Sequence, residues 1–410
     1  MIQDLEIKPV NTCYYLEIWK DATGKYHYAP LPAHLRHTDF GPHLKGYLLY
    51  QYYHCHVTQP LLLEQLHEWG VDISAGQVSN LLTKGHDRFH AEKEALLLEA
   101  LQGMEYLQTD DTAARHQGQH GYCTFIGNER FSFFKSTSSK SRVNFLETLS
   151  GQPRYVFNTV ALQYMTDQGL GPKHLHLVTQ MAPHFPDQAA LHGELTKRNT
   201  SKHAVKIMTE AALIGGLIAQ GMPEKMIILS DDAGQFNILH HALCWVHIER
   251  NLQKIHAYTQ PQRDQLDQVL QAFWQVYQGL KAYKATPSEA LKQKCLNAFE
   301  ALCDWQTEWI ALQKGLDKIK AYKEEMLVVL EHPQVPLHNN QSERDIREFV
   351  KKRKISGSSR SENGRKARDT FASLKKTCRK LNISFWDFLL DRLTETHQIE
   401  KLPKLIYQET

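Results

Sequence analysis

The sequence predicts an α/β protein, a mixed sheet flanked by helices, and three observations carry that prediction. The apolar run Met226-Ile227-Ile228-Leu229 stops abruptly on Ser230-Asp231-Asp232-Ala233-Gly234, as a buried strand of an α/β sheet does when it meets a turn. Glu105-Tyr106-Leu107-Gln108-Thr109 runs into Asp110-Asp111-Thr112 in the same way. Gly121–Ile126 and Phe131–Lys135, joined by Gly127-Asn128-Glu129-Arg130, read as a hairpin, so three consecutive antiparallel strands are expected, the first ending on an acid.

The 410 residues exceed one typical domain and suggest two or three, and the hydrophobic fraction of 42% is enough for ordinary cores. No stretch reaches the roughly 18 apolar residues of a membrane span, and Met1-Ile2-Gln3-Asp4-Leu5-Glu6 lacks the basic and apolar regions of a signal peptide. A cytoplasmic protein with no membrane partner is expected. The cysteines are an odd seven at long spacings, so no disulfide framework is implied. Cys244-Trp245-Val246-His247 has zinc-ligand spacing but no second pair, and reads better as an apolar strand with a packed Cys and Trp.

Taken in order, Tyr14–Trp19 and Tyr26–Ala29 flank Asp21-Ala22-Thr23-Gly24 and suggest a small hairpin. Residues 41–70 look helical. Gly70 stops that helix and Ser74 caps another, the spacing of a helix-turn-helix, whose second helix would offer Gln77, Ser79, Asn80 and Lys84 to a major groove; a plain helical hairpin gives the same pattern. A helix over 85–103 follows, with Glu92, Glu94 and Glu99 on its solvated side. Beyond the three strands, Ser141–Leu149 reads as a helix and 150–200 as mixed. Ser201–Gln220 is a helix closed by Gly221 and Pro223, and Ala242–Val246 a further short strand. From Ile248 to about Leu330 the pattern is helical throughout. Pro333 and Pro336 break it, and Asn339 or Asn340 caps the helix Gln341–Lys352. Helices over Arg365–Leu381 and Phe385–Leu393 precede a tail.

Two strand-end acids from separate strands, Asp110 and Asp231, suggest neighbouring strands presenting carboxylates to one point, with Glu343 on the later helix as a third. Hard oxygen ligands with room left for substrate phosphates suit Mg²⁺. The net charge of +3 says little about partners, but its distribution says more. Lys351, Lys352, Arg353, Lys354, Arg360, Arg365, Lys366, Arg368, Lys375, Lys376, Arg379 and Lys380 follow Glu343, interrupted only by Glu362 and Asp369, and such a run favours phosphate binding. Strand with acid, two hairpin strands, strand with acid, then a helix bearing a glutamate is the element order of ribonuclease H-like nucleotidyl transferases, in which carboxylates flank two Mg²⁺ ions about 3.5–4 Å apart.

The chain resembles the DDE transposases of bacterial insertion sequences, most closely the IS66-like group. The resemblance is carried by Leu107-Gln108-Thr109-Asp110-Asp111-Thr112, by Ser230-Asp231 with Ala233-Gly234, and by Cys244-Trp245-Val246-His247-Ile248-Glu249-Arg250. It is strongest at Asn339-Asn340-Gln341-Ser342-Glu343-Arg344-Asp345-Ile346-Arg347, followed by Arg353-Lys354-Ile355-Ser356-Gly357-Ser358. It implies a transposase that cleaves and joins DNA strands, with Asp110, Asp231 and Glu343 as catalytic and metal-binding acids and Asn339, Asn340 and His247 in support. Asp231 is preferred to its neighbour Asp232 because it lies nearest the strand end. Two Mg²⁺ ions, replaceable by Mn²⁺, are implied as cofactors. Arg344, Arg347, Lys351–Lys354 and Arg360 are expected on DNA beside the helix-turn-helix readers.

The partners implied are double-stranded element ends and target, a second copy or more of the chain on DNA, accessory proteins of the element, and the nucleoid. The expected division is a hairpin region over 1–40, a DNA-binding region over 41–103, a ribonuclease H-like core from 104–248 and 337–393, a helical insertion over 249–336 and a tail over 394–410. A non-catalytic DNA-binding regulator and a metal nuclease of the same fold stand as alternatives.

Overall fold

The period-two pattern of the strands resolves into a five-stranded sheet. The computed structural model describes residues 1–31 and 39–408, so 32–38 of the amino-terminal region and the last two residues of the tail lie outside the described residues. A small ribbon, β1 (Ile18–Lys20) and β2 (Tyr26–Tyr28), precedes four helices: α1 (Pro42–Leu49), α2 (Gln59–Glu68), α3 (Ala75–Thr83) and α4 (Asp87–Gly103). Then come β3 (Tyr106–Ala113), β4 (Tyr122–Gly127) and β5 (Ser132–Thr137). The stretch that resisted a sequence reading holds α5 (Arg142–Ser150), β6 (Tyr155–Val156), α6 (Thr159–Asp167), α7 (Pro172–Thr179), β7 (His184–Phe185) and α8 (Gln188–Lys197). After α9 (Lys202–Ala219) the chain re-enters the sheet as β8 (Ile227–Ser230) and β9 (His240–Leu243). Five helices follow: α10 (Trp245–Gln253), α11 (Gln260–Ala285), α12 (Glu289–Cys303), α13 (Ile310–Ala321) and α14 (Lys323–Met326). Last are α15 (Asn340–Ser356), α16 (Glu362–Lys380), α17 (Phe385–Thr394) and α18 (Leu402–Leu405).

The sheet runs β5-β4-β3-β8-β9, with β3, β4 and β5 antiparallel and β8 and β9 parallel to β3. Alternating residues serve two faces. Leu107, Ile126, Phe133 and Ile228 join the core under α4, α5 and α9, while Phe125 and Phe134 pack on Ile346 and Phe349 of α15. A sheet buried on both sides explains why Ile227–Leu229 reads as an unbroken apolar run.

The outer edge of β5 is closed by α16. Thr377 Oγ1, Ser373 Oγ and an Asp369 carboxylate oxygen accept from the amides of Ser132, Phe134 and Ser136 at 3.1, 2.8 and 2.7 Å. Four helical residues rise about 6 Å and two strand residues about 6.7 Å, so a four-residue repeat on the helix keeps pace with a two-residue repeat on the strand. An edge that would otherwise offer free amides is thereby satisfied.

Two expectations are corrected. The strand expected over Ala242–Val246 ends at Leu243, and Trp245 opens α10, where its indole donates to the Met326 carbonyl at 2.9 Å. Glu92 is not on a solvated side: it is buried under Arg392, which donates to both its oxygens at 2.8 and 2.9 Å. The tail packs on the core, where Leu402 and Ile406 are buried and Arg130 donates to the Ile406 carbonyl at 3.1 Å. The amino-terminal helices share one core with α16 and α17, whereas α11–α13 with Trp245 form a core of their own.

Candidate functional site

The parallel register sets the site. Tyr106, Leu107 and Gln108 of β3 stand opposite Ile227, Ile228 and Leu229 of β8. Continued two residues past the paired stretch, that register brings Asp231 level with Asp110, on strands about 4.8 Å apart. Asp110 pairs with Phe125 of β4, whose side chain faces α15, so both acids belong to the face that α15 covers.

Three contacts fix α15 there. The buried Asn339 donates from Nδ2 to the Thr109 carbonyl at 2.8 Å, its backbone amide donates to Cys244 Sγ at 3.2 Å, and its Oδ1 accepts from Ser342 Oγ at 2.5 Å. The first turn of α15 is thus tied to the residue before Asp110, and Glu343 lies in that turn. Asn340 opens the same helix, half-buried. From α10, Arg250 donates to Glu343 Oε1 at 2.9 Å and His247 Nε2 stands 3.4 Å from the same oxygen. The Cys-Trp-Val-His motif is therefore a bracket between the insertion and the Glu343 helix.

Burial first, and then the charges of Asp231, Asp111 and Glu343, push the Asp110 carboxyl up to about 7, against the amide of Asp111, which donates to it. Asp111 is raised too, by burial above all, although Lys140 and Gln235 Nε2, the latter donating at 2.8 Å, oppose the rise. Asp232 turns away: Lys318 Nζ on α13 stands 2.5 Å from it and Asn251 donates at 3.4 Å. Asp231 Oδ1 accepts from the Ala233 amide at 3.1 Å, and Arg142 donates to the Gly234 carbonyl at 2.5 Å, pinning the turn. Asp231 and Glu343 act electrostatically on Asp110, yet among the described residues no group of three or more His, Cys, Asp or Glu is gathered tightly enough to hold a metal ion. Arg250 and Arg142 were missed from sequence because their partners lie 93 and 92 residues away.

The profile of the family described as Transposase IS66 family matches residues 209–367, which contain Asp231 and Glu343 but not Asp110. The uncharacterized protein y4jO of Sinorhizobium fredii is 40% identical over 296 residues, covering 70% of this chain and 91% of that protein. The chain belongs to the IS66 transposase family.

In this family member the basic run divides. Arg344, Arg347, Lys351 and Lys354 are exposed. At about 100° per residue they share an arc of roughly 80° on α15. Lys352 falls outside that arc and is buried: its Nζ donates to the Tyr52 carbonyl at 2.6 Å over the Tyr52 ring. It is thereby withdrawn from the expected DNA contacts, because the helix turns it inward. Arg353 donates to Thr112 Oγ1 and to the Ala113 carbonyl and so braces the end of β3, while Arg360 is exposed. Arg368, Lys375, Lys376 and Lys380 on α16 are covered, and Lys376 and Lys380 pair with Asp345 at 3.4 and 2.5 Å.

The expected readers divide as well. Asn80 on α3 and Lys84 just past its end are exposed, but the Gln77 carboxamide oxygen accepts from the Ser74 amide at 2.8 Å in a capping box. Ser79, half-buried on α3, lines a cleft towards the connection between α15 and α16. No described helix is long and apolar enough to cross a membrane.

Proposed function

We propose that this IS66 family member is a transposase that cleaves and joins DNA strands through Asp110, Asp231 and Glu343, on a ribonuclease H-like core with a helical insertion and an amino-terminal helix-turn-helix. The observation that supports this best is the β3–β8 register, which if continued two residues brings Asp231 level with Asp110, together with the Asn339 contact to the Thr109 carbonyl at the start of the helix bearing Glu343. Three carboxylates from three elements are the hard oxygen donors a divalent cation takes, although among the described residues they are not drawn closely enough together to hold one in this structure. Asp110, Asp231 and Glu343 would hold Mg²⁺, or Mn²⁺ in its place, and the ions would supply charge stabilisation at the attacking and leaving oxygens.

The protein's own residues prepare that site. Asn339 positions the Glu343 helix, Arg142 holds the turn after Asp231, and Arg250 and His247 keep the Glu343 carboxylate on the α10 side. The exposed stripe from Arg344 to Lys354 runs away from Glu343 and would carry duplex phosphates, while Asn80 and Lys84 would face the groove. Assembly of two or more copies on DNA belongs to the same reading.

The test is a DNA cleavage assay in Mg²⁺ and in Mn²⁺. Asp110→Ala, Asp231→Ala and Glu343→Ala should each abolish cleavage while retaining fold and DNA binding, and Asp232→Ala should retain cleavage. An inactive Asp232→Ala beside an active Asp231→Ala would move the site to the neighbouring residue.

A further inference from the structure

Helix α9 buries an acid that the proposed chemistry does not use. From Ile207 to Leu217 every residue is buried, and among them Glu210 is 1% exposed. Its Oε1 has no hydrogen-bond partner. Its Oε2 accepts from the Tyr164 hydroxyl of α6 at 2.8 Å and from Arg142 Nη1 of α5 at 3.4 Å. A half-paired carboxylate in an apolar helix face costs the core more than an apolar side chain of similar volume, so stability does not account for the charge.

The same guanidinium leads out of the core. Arg142 Nη1 also donates to the Tyr164 hydroxyl oxygen at 2.9 Å, and its Nη2 donates to the Gly234 carbonyl, at the far end of the turn that begins on Asp231. Phe145, on the next turn of α5, packs edge-on against Phe236 with 5.0 Å between ring centroids. Helix α5 therefore grips the end of the Asp231 turn by a charge and by a ring, and Glu210 with Tyr164 holds the charge.

The anchor itself is rigid. Gly215 and Gly216 bring α9 against the backbone of residues 154–156, since a Cβ on them would stand 2.0 and 1.8 Å from the carbonyl oxygens of Val156 and Arg154. That contact fixes the depth at which Glu210 sits. At the near end of the turn, Ser230 Oγ donates to the Asp231 carbonyl at 2.7 Å and stands 2.8 Å from His241 Nε2 of β9. Within the turn, Asp231 Oδ1 accepts from the Ala233 amide, so the direction of the carboxylate follows from how the turn is held.

We propose that Glu210 is a positioning residue, which through Tyr164 and Arg142 fixes the turn that aims the Asp231 carboxylate. The assignment rests on the catalytic reading of Asp231 and gives α5, α6 and α9 a part in it.

Two variants test it. Glu210→Gln keeps the shape and a partner for Tyr164 but takes away the charge, and Tyr164→Phe removes the hydroxyl while leaving Glu210 in place, so it reports even if the first fails to fold. Hydrogen exchange of residues 231–236, read by mass spectrometry without DNA or metal, is the first measurement, and kcat and KM for a cleavable duplex in Mg²⁺ are the second. In both variants exchange in 231–236 should quicken several-fold while that of β3 and β8 stays parental. The kcat should fall roughly tenfold at unchanged KM, short of the hundredfold that a misplacement of about 1 Å can cost. Parental exchange in both variants would overturn the assignment, as would exchange quickened throughout the sheet, which would make Glu210 a packing residue only. Asp231→Ala, run alongside, separates this assignment from the reading beneath it. Where Asp231→Ala is inactive, a parental kcat in both variants overturns the assignment; where Asp231→Ala still cleaves, the catalytic reading falls, and exchange in the turn alone decides what Glu210 holds.

Discussion

Helices α15 and α16 share the basic run between them, yet α15 turns Arg344, Arg347, Lys351 and Lys354 to solvent while α16 buries Arg368, Lys375 and Lys376 and covers the side chain of Lys380 over β5. The buried cations are answered by acids on α15: Lys375 and Lys376 reach Glu348, and Lys376 and Lys380 reach Asp345. Glu348 accordingly sits near 2, well below the usual carboxylate range: Lys375 and Lys376 hold it down against the upward push of burial. One helix turns these charges to solvent, and the other uses its buried charges to weld two elements of the core.

The difference can be broken at its strongest point first. Asp345→Ala leaves Lys376 and Lys380 covered without that carboxylate, and removing one partner of a buried pair costs about 3–5 kcal/mol. Arg347→Ala, on the exposed stripe, should change stability by no more than about 0.5 kcal/mol. Urea unfolding of the two variants measures both. Equal and small losses would mean that the α15–α16 ion pairs contribute little and that the two helices differ less than their burial implies.

This division was not legible in the sequence, and the reason is physical. A run of Lys and Arg reports charge but not orientation, and the acids that neutralise α16 lie about thirty residues earlier, on a helix read as a DNA face. What could be read was local or periodic: the strand that stops before Asp231, the strand that carries Asp110, although it runs on to Ala113 past the acids that the sequence predicts as its end, the hairpin Gly121–Lys135, the Ser74 cap and the Asn339-Asn340 start of α15. Even the 121-residue separation of Asp110 and Asp231 equals the offset of the β3–β8 register, from Tyr106 opposite Ile227 onward. Arg250, Arg142 and the buried side of Glu92 depended on tertiary packing and left no local mark.

The exposed stripe offers the next sharpening. Changing Arg347, Lys351 and Lys354 together to Ala should weaken binding to all duplexes alike and flatten the logarithmic salt slope by up to about 0.9 for each phosphate no longer neutralised. Binding isotherms on two unrelated duplexes at several salt concentrations provide the measurement. An unchanged slope would mean that this face meets water and that DNA takes another path, past Asn80 and Lys84.

Lys352 gives the smallest effect and the finest cut, because it sits on α15 but is buried as the α16 cations are. Burial first, and then the nearby charges of Lys375 and Arg368, lower it from 10.5 to about 7. Below about pH 7 both folded and unfolded chains carry its proton, and the full penalty of a buried charge weighs on the fold. Between about 7 and 10.5 the folded chain sheds that proton while the unfolded chain keeps it, so this group's contribution to stability rises with pH across that window. Lys352→Met keeps the volume, loses the hydrogen bond to the Tyr52 carbonyl and removes the titration. The variant should therefore gain stability relative to the parent at pH 6, by about 1 kcal/mol once the lost hydrogen bond is set against the relieved charge, and the gain should shrink towards pH 9.5. Denaturant unfolding at the two pH values reads the difference directly. A gain of the same size at both would show that Lys352 keeps its charge in the fold, and the line between offered and buried cations would then run between the two helices and not around the circumference of α15.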